Sequence, residues 1–143
     1  MGAALPAWIP RTQQGWAVLW CRFMSLFAAQ GVVLLVLYAI KGPSAGPDGL
    51  PPGLQLDRLH AVIHLVSGLI GGAIGFWRPA WAIRFTQLFS VFYLLLAVFG
   101  TFTSLHFGMQ LEFSENALHW GLEIPAALIG FAPLLTRRSA PAS

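Results

Sequence analysis

The sequence predicts an all-α integral membrane protein, a four-helix bundle made of two tandem helical hairpins that form a parallel internal repeat. Three observations carry that expectation. Four long apolar stretches alternate with polar or proline-rich links; the composition is 57% hydrophobic and 9% charged, with a mean hydropathy of +0.70; and two sets of landmarks recur in the same order. A soluble domain of 143 residues needs more polar surface than this chain supplies, so its natural solvent is a bilayer.

The first span is expected over about residues 16–40, where the apolar run is broken only by Arg22 and Gln30. Its last 18 residues, 23–40, nearly cross a hydrocarbon core of about 30 Å at ~1.5 Å per residue. The preceding segment holds two prolines and Arg11 but no apolar run, so this span reads as a retained signal anchor. Residues 41–53 contain four prolines and four glycines, a composition that stops a helix and marks a loop. The second span, about 57–77, starts at Asp57, whose carboxylate suits a helix N-terminus, and is closed by Pro79. A short link leads to the third span, about 85–105. The polar connection 108–115 leads to the fourth, about 116–135, with Ser114 or Glu115 placed to cap it. Residues 1–143 thus form a single transmembrane domain, with repeat one at about 16–77 and repeat two at about 78–136.

Charge sets the orientation. Arg11, Arg22, Arg78, Arg84, Arg137 and Arg138 fall on one side of the four spans, whereas Lys41, Arg58 and the five acidic residues fall on or toward the other. By the positive-inside rule both termini are cytoplasmic. Trp16, Trp20, Trp77 and Trp81 are expected in an inner aromatic belt, with Trp120 near the outer boundary. The net charge of +3 does not imply a nucleic-acid partner, because the basic residues are scattered between apolar runs.

Duplication is visible twice. Arg22-Phe-Met-Ser-Leu-Phe27 is echoed by Arg84-Phe-Thr-Gln-Leu-Phe89, and the Leu-His of Leu59-His60 returns at Leu118-His119, each followed nine residues after its histidine by Leu-Ile-Gly. In each copy the residue four after that histidine is also ionisable: His64 in the first, Glu123 in the second. Spacing of four puts each pair on one helix face. Below His60 and His64 the same face carries Gly68 and Gly72, and Gly68-x-x-x-Gly72 and Gly71-x-x-x-Gly75 allow close helix approach. If the two faces meet across a pseudo-twofold axis along the membrane normal, His60, His64, His119 and Glu123 converge roughly 10 Å below the outer boundary. A charged carboxylate at that depth needs a partner, and a histidine is the expected one. Pro125 frees a backbone carbonyl close to Glu123.

Four readings fit this cluster. It is a hydrogen-bonded network that specifies helix pairing, a transition-metal site with His60, His64, His119 and Glu123 as ligands, a haem pocket held by His60, His64 and His119 beside the glycine groove, or a proton or small-substrate path. Gln30 reads as an interhelical hydrogen bond. The aromatic residues Phe89, Phe92, Tyr93 and Phe99 read as lipid contact or core packing. Cys21 is alone, so it forms neither an internal disulfide nor a thiolate metal site. Phosphate loops and a Ser/His/Asp set are absent from the sequence.

Asp57-Arg-Leu-His60 and Asn116-Ala-Leu-His119 together resemble the repeated Asp/Asn-x-Leu-His motif of a family of small bacterial four-span membrane proteins, over residues 22–135. The resemblance implies the plasma membrane of a bacterium and four spans, and it supplies no reaction. The expected role is non-enzymatic: a small integral scaffold or accessory subunit in contact with lipid and with a larger membrane complex or a second copy of itself. The rival expectation is a haem- or metal-binding membrane protein engaged in electron transfer or metal handling.

Overall fold

The computed structural model describes residues 9–41, 57–103 and 113–136, the last stretch with side chains over 116–132. They form α1 (Gln13–Phe23), α2 (Ser25–Lys41), α3 (Arg58–Trp77), α4 (Ala82–Phe102) and α5 (Phe113–Thr136), with a 3₁₀ turn at Pro79–Trp81 ahead of α4. Since α1 and α2 are consecutive pieces of one rod, the fold is four helical rods, all-α as expected. The rod α2 lies along α3 and α4 lies along α5, while α1 packs against α3, α4 and α5. The loop 42–56, the connection 104–112 and Arg137 and Arg138 lie outside the described residues.

The first rod begins three residues before the expected Trp16 because Thr12, in extended conformation, caps it: its Oγ1 accepts from the Gly15 amide at 3.1 Å. The rod also breaks at Met24. Ser25 Oγ donates to the Arg22 carbonyl at 2.6 Å, and the Phe27 amide reaches back only three residues to the Met24 carbonyl. A hydroxyl bonded to a carbonyl of the preceding turn and a 3₁₀ step both bend helices. Ahead of the break α1 packs against three other helices, with Ala17 and Cys21 fully buried. Trp20, expected in the inner belt, consequently lies in the core with its ring 5.9 Å from Phe89, whereas Trp16, Trp77 and Trp81 stay exposed.

Other boundaries are shifted for local reasons. Asp57 caps α3, its Oδ1 accepting from the His60 amide at 2.9 Å. Asp57→Ala should cost about 1 kcal/mol, read as a lower thermal midpoint in detergent. The helix α4 starts at Ala82 rather than Phe85 because the 3₁₀ turn feeds directly into it, and it ends at Phe102 because Thr103 turns extended. The helix α5 starts at Phe113, so Ser114 and Glu115 lie within its first turn instead of capping it, and it continues through Pro125.

The distribution of side chains is inverted relative to a water-soluble protein. His60, His64, Thr86, Ser90, Asn116, His119 and Glu123 are buried, while Val33, Ile40, Leu69, Leu88, Phe102, Ile124 and Leu128 are exposed. Among the described residues, three rods are long and apolar enough to cross a membrane: Gln13–Lys41, Arg58–Trp77 and Pro79–Phe102.

The glycine face of α3 packs directly on the first rod. A Cβ on Gly68 would overlap the Ala28 amide nitrogen and the Met24 carbonyl, and one on Gly75 would sit 2.7 Å from the Arg22 nitrogen. Gly31 answers from α2, where an added Cβ would lie 2.7 Å from Ala61 O and Leu65 N. The groove foreseen beside these glycines is therefore filled by the first rod.

Candidate metal centre

Four helices assemble the polar interior, and two of them supply its histidines. The helix α3 supplies His60 and His64 one turn apart, their ring centroids 4.6 Å from each other and their planes nearly perpendicular. From α5, His119 places its ring 5.4 Å from that of His60. One nitrogen from each of the three rings lies within 4.8 Å of the other two, and each residue is at most 2% exposed. Aromatic rings wall the cluster: Phe27 meets His64 edge-on at 5.1 Å, and Tyr93, stacked on Phe89 at 4.1 Å, meets His119 at 5.5 Å.

Hydrogen bonding selects the protonation of His64. Its Nδ1 lies 3.0 Å from Oε1 of Gln30 on α2. A carbonyl oxygen only accepts, so Nδ1 carries the proton and Nε2 keeps its lone pair. That Nε2 and the Nδ1 of His60 are buried with no hydrogen-bond partner among the described residues. Leaving a buried polar atom unsatisfied costs about 1–3 kcal/mol, and such atoms in a folded protein call for an explanation such as a bound ion. Gln30, read from sequence as an interhelical hydrogen bond, is one, and its partner is a histidine of the cluster. An amide that holds the far nitrogen of a metal-binding imidazole fixes the ring and its tautomer. Gln30→Leu should therefore weaken metal binding about 10–100-fold while all three imidazoles remain, as a metal titration would read.

Glu123 is buried but stands apart from the three histidines. Its Oε1 accepts from Ser90 Oγ on α4 at 2.6 Å, and its Oε2 has no hydrogen-bond partner among the described residues. The histidine partner expected from sequence is thus replaced by a serine. The reason is depth: Glu123 is one helical turn, about 5.4 Å, below His119, and at that level α4 presents Ser90. It lies outside the group of donor atoms that could share an ion.

Sequence reasoning missed Ser90 and the wall formed by Phe27 and Tyr93. Thr86, Ser90, Tyr93 and Ala97 recur at spacings of three and four and are all buried, so a polar stripe in α4 was the available signal. Of the four aromatic residues grouped together there, Phe89 and Tyr93 face inward and Phe92 and Phe99 outward.

The donor set suits an ion better than a macrocycle. A porphyrin between two axial imidazoles would part their rings, whereas here the rings touch and the adjacent glycine face is covered. Three neutral imidazoles suit zinc, copper, iron or nickel. Metal–nitrogen bonds of about 2.0–2.1 Å in tetrahedral geometry bring donors to roughly 3.3 Å, so modest side-chain rotations would close the present separation.

No protein-family model, curated protein or solved structure matches this chain. The site must be judged on its own geometry.

Proposed function

We propose that the chain is an integral membrane protein, a tandem duplication of one helical hairpin with cytoplasmic termini in a bacterial plasma membrane, and that it binds a transition-metal ion through His60, His64 and His119. One observation carries the metal reading: three buried imidazoles from two hairpins offer nitrogens within 4.8 Å of one another, and the rings include two buried nitrogens, His60 Nδ1 and His64 Nε2, with no hydrogen-bond partner among the described residues. Three protein ligands leave the fourth position of a tetrahedral ion to water or another small donor, and burial of all three imidazoles restricts a substrate's access to it, which favours metal holding or handling over catalysis. The inverted polarity of the rods supports the bilayer. The duplication gains support from a shared device: in each hairpin the second ionisable residue is held by a side chain of the partner helix, His64 by Gln30 and Glu123 by Ser90.

The same two bonds favour a second reading, a scaffold or accessory subunit in which polar side chains only pair the helices. Metal analysis of the detergent-solubilised full chain, followed by titration of chelator-treated protein with Zn²⁺, Co²⁺ and Cu⁺, separates the two. About one ion per chain is expected, with ligand-field bands of four-coordinate Co²⁺. A protein that takes up none of these ions is a scaffold.

A further inference from the structure

We propose that the groove between the start of α1 and the adjoining part of α5 binds an anionic phospholipid. It lies at the end of the bundle remote from the histidines, has a volume of about 460 Å³, and is walled by Trp16, Pro125, Leu128, Ile129 and Ala132 with Arg11 at its margin. That volume is within the range of ligand sites. The Gln13 side chain donates to the carbonyls of Ile129 and Gly130 at 2.9 and 3.2 Å, which ties α1 to α5 beneath the groove and satisfies these backbone acceptors. The remaining wall is apolar and suits a hydrocarbon chain.

Charge identifies the headgroup. Arg22 lies over Phe76 at 5.3 Å and donates to the Gly75 carbonyl, and Arg84 lies over Trp81 at 5.4 Å. Arg11 has no such aromatic or carboxylate partner among the described residues: Glu123 is buried against Ser90, and Asp57 caps the far end of α3. Arg11, Arg22, Arg78 and Arg84 are all at this end, and no described carboxylate there competes with the anion for them. Arg137 and Arg138, which follow α5 in the sequence, add the same sign and make the chain's own tail a poor occupant. An apolar trough beside an unpartnered guanidinium matches a lipid with a phosphate and a net negative charge, and disfavours a zwitterionic one.

This inference rests on the membrane reading, and the test separates the two. The full chain is delipidated in mild detergent and supplied with phosphatidylglycerol or phosphatidylcholine of matched acyl chains, and bound lipid is counted by native mass spectrometry. Phosphatidylglycerol should bind more tightly. Arg11→Gln should weaken it about fivefold, the weight of one cation near an anionic surface, and leave phosphatidylcholine unchanged. Ala132→Trp, which fills the groove and keeps Arg11, should weaken both. Equal binding of the two lipids, or no change in Arg11→Gln, overturns the lipid site alone. A chain that stays in solution without detergent overturns the membrane reading itself.

Discussion

His64→Ala and His119→Ala should each abolish stoichiometric metal binding. His64 is fully buried, and with Gln30 on Nδ1 its Nε2 has no hydrogen-bond partner among the described residues. Removing it leaves two imidazoles, one on each of α3 and α5, with no third donor in the cluster among the described residues. Loss of a ligand should exceed the 10–100-fold effect of losing an outer-shell partner, so affinity falls more than about hundredfold. His119→Ala removes the only one of the three donors that the described part of the second hairpin supplies, and the expected loss is similar. A second readout guards against misfolding. At about 100 times the dissociation constant, metal should stabilise the native chain by roughly 2.7 kcal/mol, visible as a raised thermal midpoint. Neither variant should gain that increment, whereas Glu123→Gln, outside the donor group, should keep it. Metal-dependent stabilisation that survives both alanine substitutions would remove the tri-histidine site from consideration. Variants that merely melt earlier, in a protein that never takes up metal, would favour the scaffold.

Much of this arrangement is legible in the sequence because the helices are long and the interruptions are strong. Apolar runs, the proline- and glycine-rich loop and Asp57 place the rods with shifts of about three residues at their ends. The face shared by His60, His64 and Gly68 follows from helical spacing, and its burial from the small residues on that face, which let a neighbouring helix approach closely. What spacing does not contain is register between helices. Glu123 is on the same face as His119, but which side chain meets it depends on how far α4 has slid along α5, and that slide brings Ser90 rather than a histidine to its carboxylate. The bend at Met24 is equally hidden. It arises from a hydroxyl at Ser25 and a 3₁₀ step, in a segment whose hydropathy reads as one continuous span. Trp20 lies in the core rather than in the expected belt, and the glycine face expected to border a flat ring is covered by the first rod instead.

Gly68→Ala should be the most damaging single-methyl change in the described part of the bundle. An alanine is worth about 1 kcal/mol more than glycine in a helix interior, so the substitution would stabilise α3 if nothing stood beside it. Here the new Cβ overlaps the Ala28 nitrogen and approaches the Met24 carbonyl at 2.7 Å, backbone atoms that no rotamer change can move. The helices must separate, and overpacking of this kind costs about 1–3 kcal/mol or more, which outweighs the propensity gain. Two other glycines calibrate the effect. At Gly72 the nearest atom is Ser25 Cβ at 3.2 Å, so Gly72→Ala should be mild; at Gly121 nothing lies within 4 Å, so Gly121→Ala should be neutral or stabilising. Thermal unfolding in detergent should rank the three variants in that order, and equal midpoints for the changes at Gly68 and Gly121 would refute the close approach. The consequence reaches the histidines. Since Gln30 on α2 holds His64 on α3 across this same contact, moving the two helices apart lengthens a 3.0 Å bond and frees the imidazole to rotate. Gly68→Ala should thus weaken metal binding without touching a ligand, and Gly31→Ala, which presses on Ala61 and Leu65 from the opposite side, should do the same.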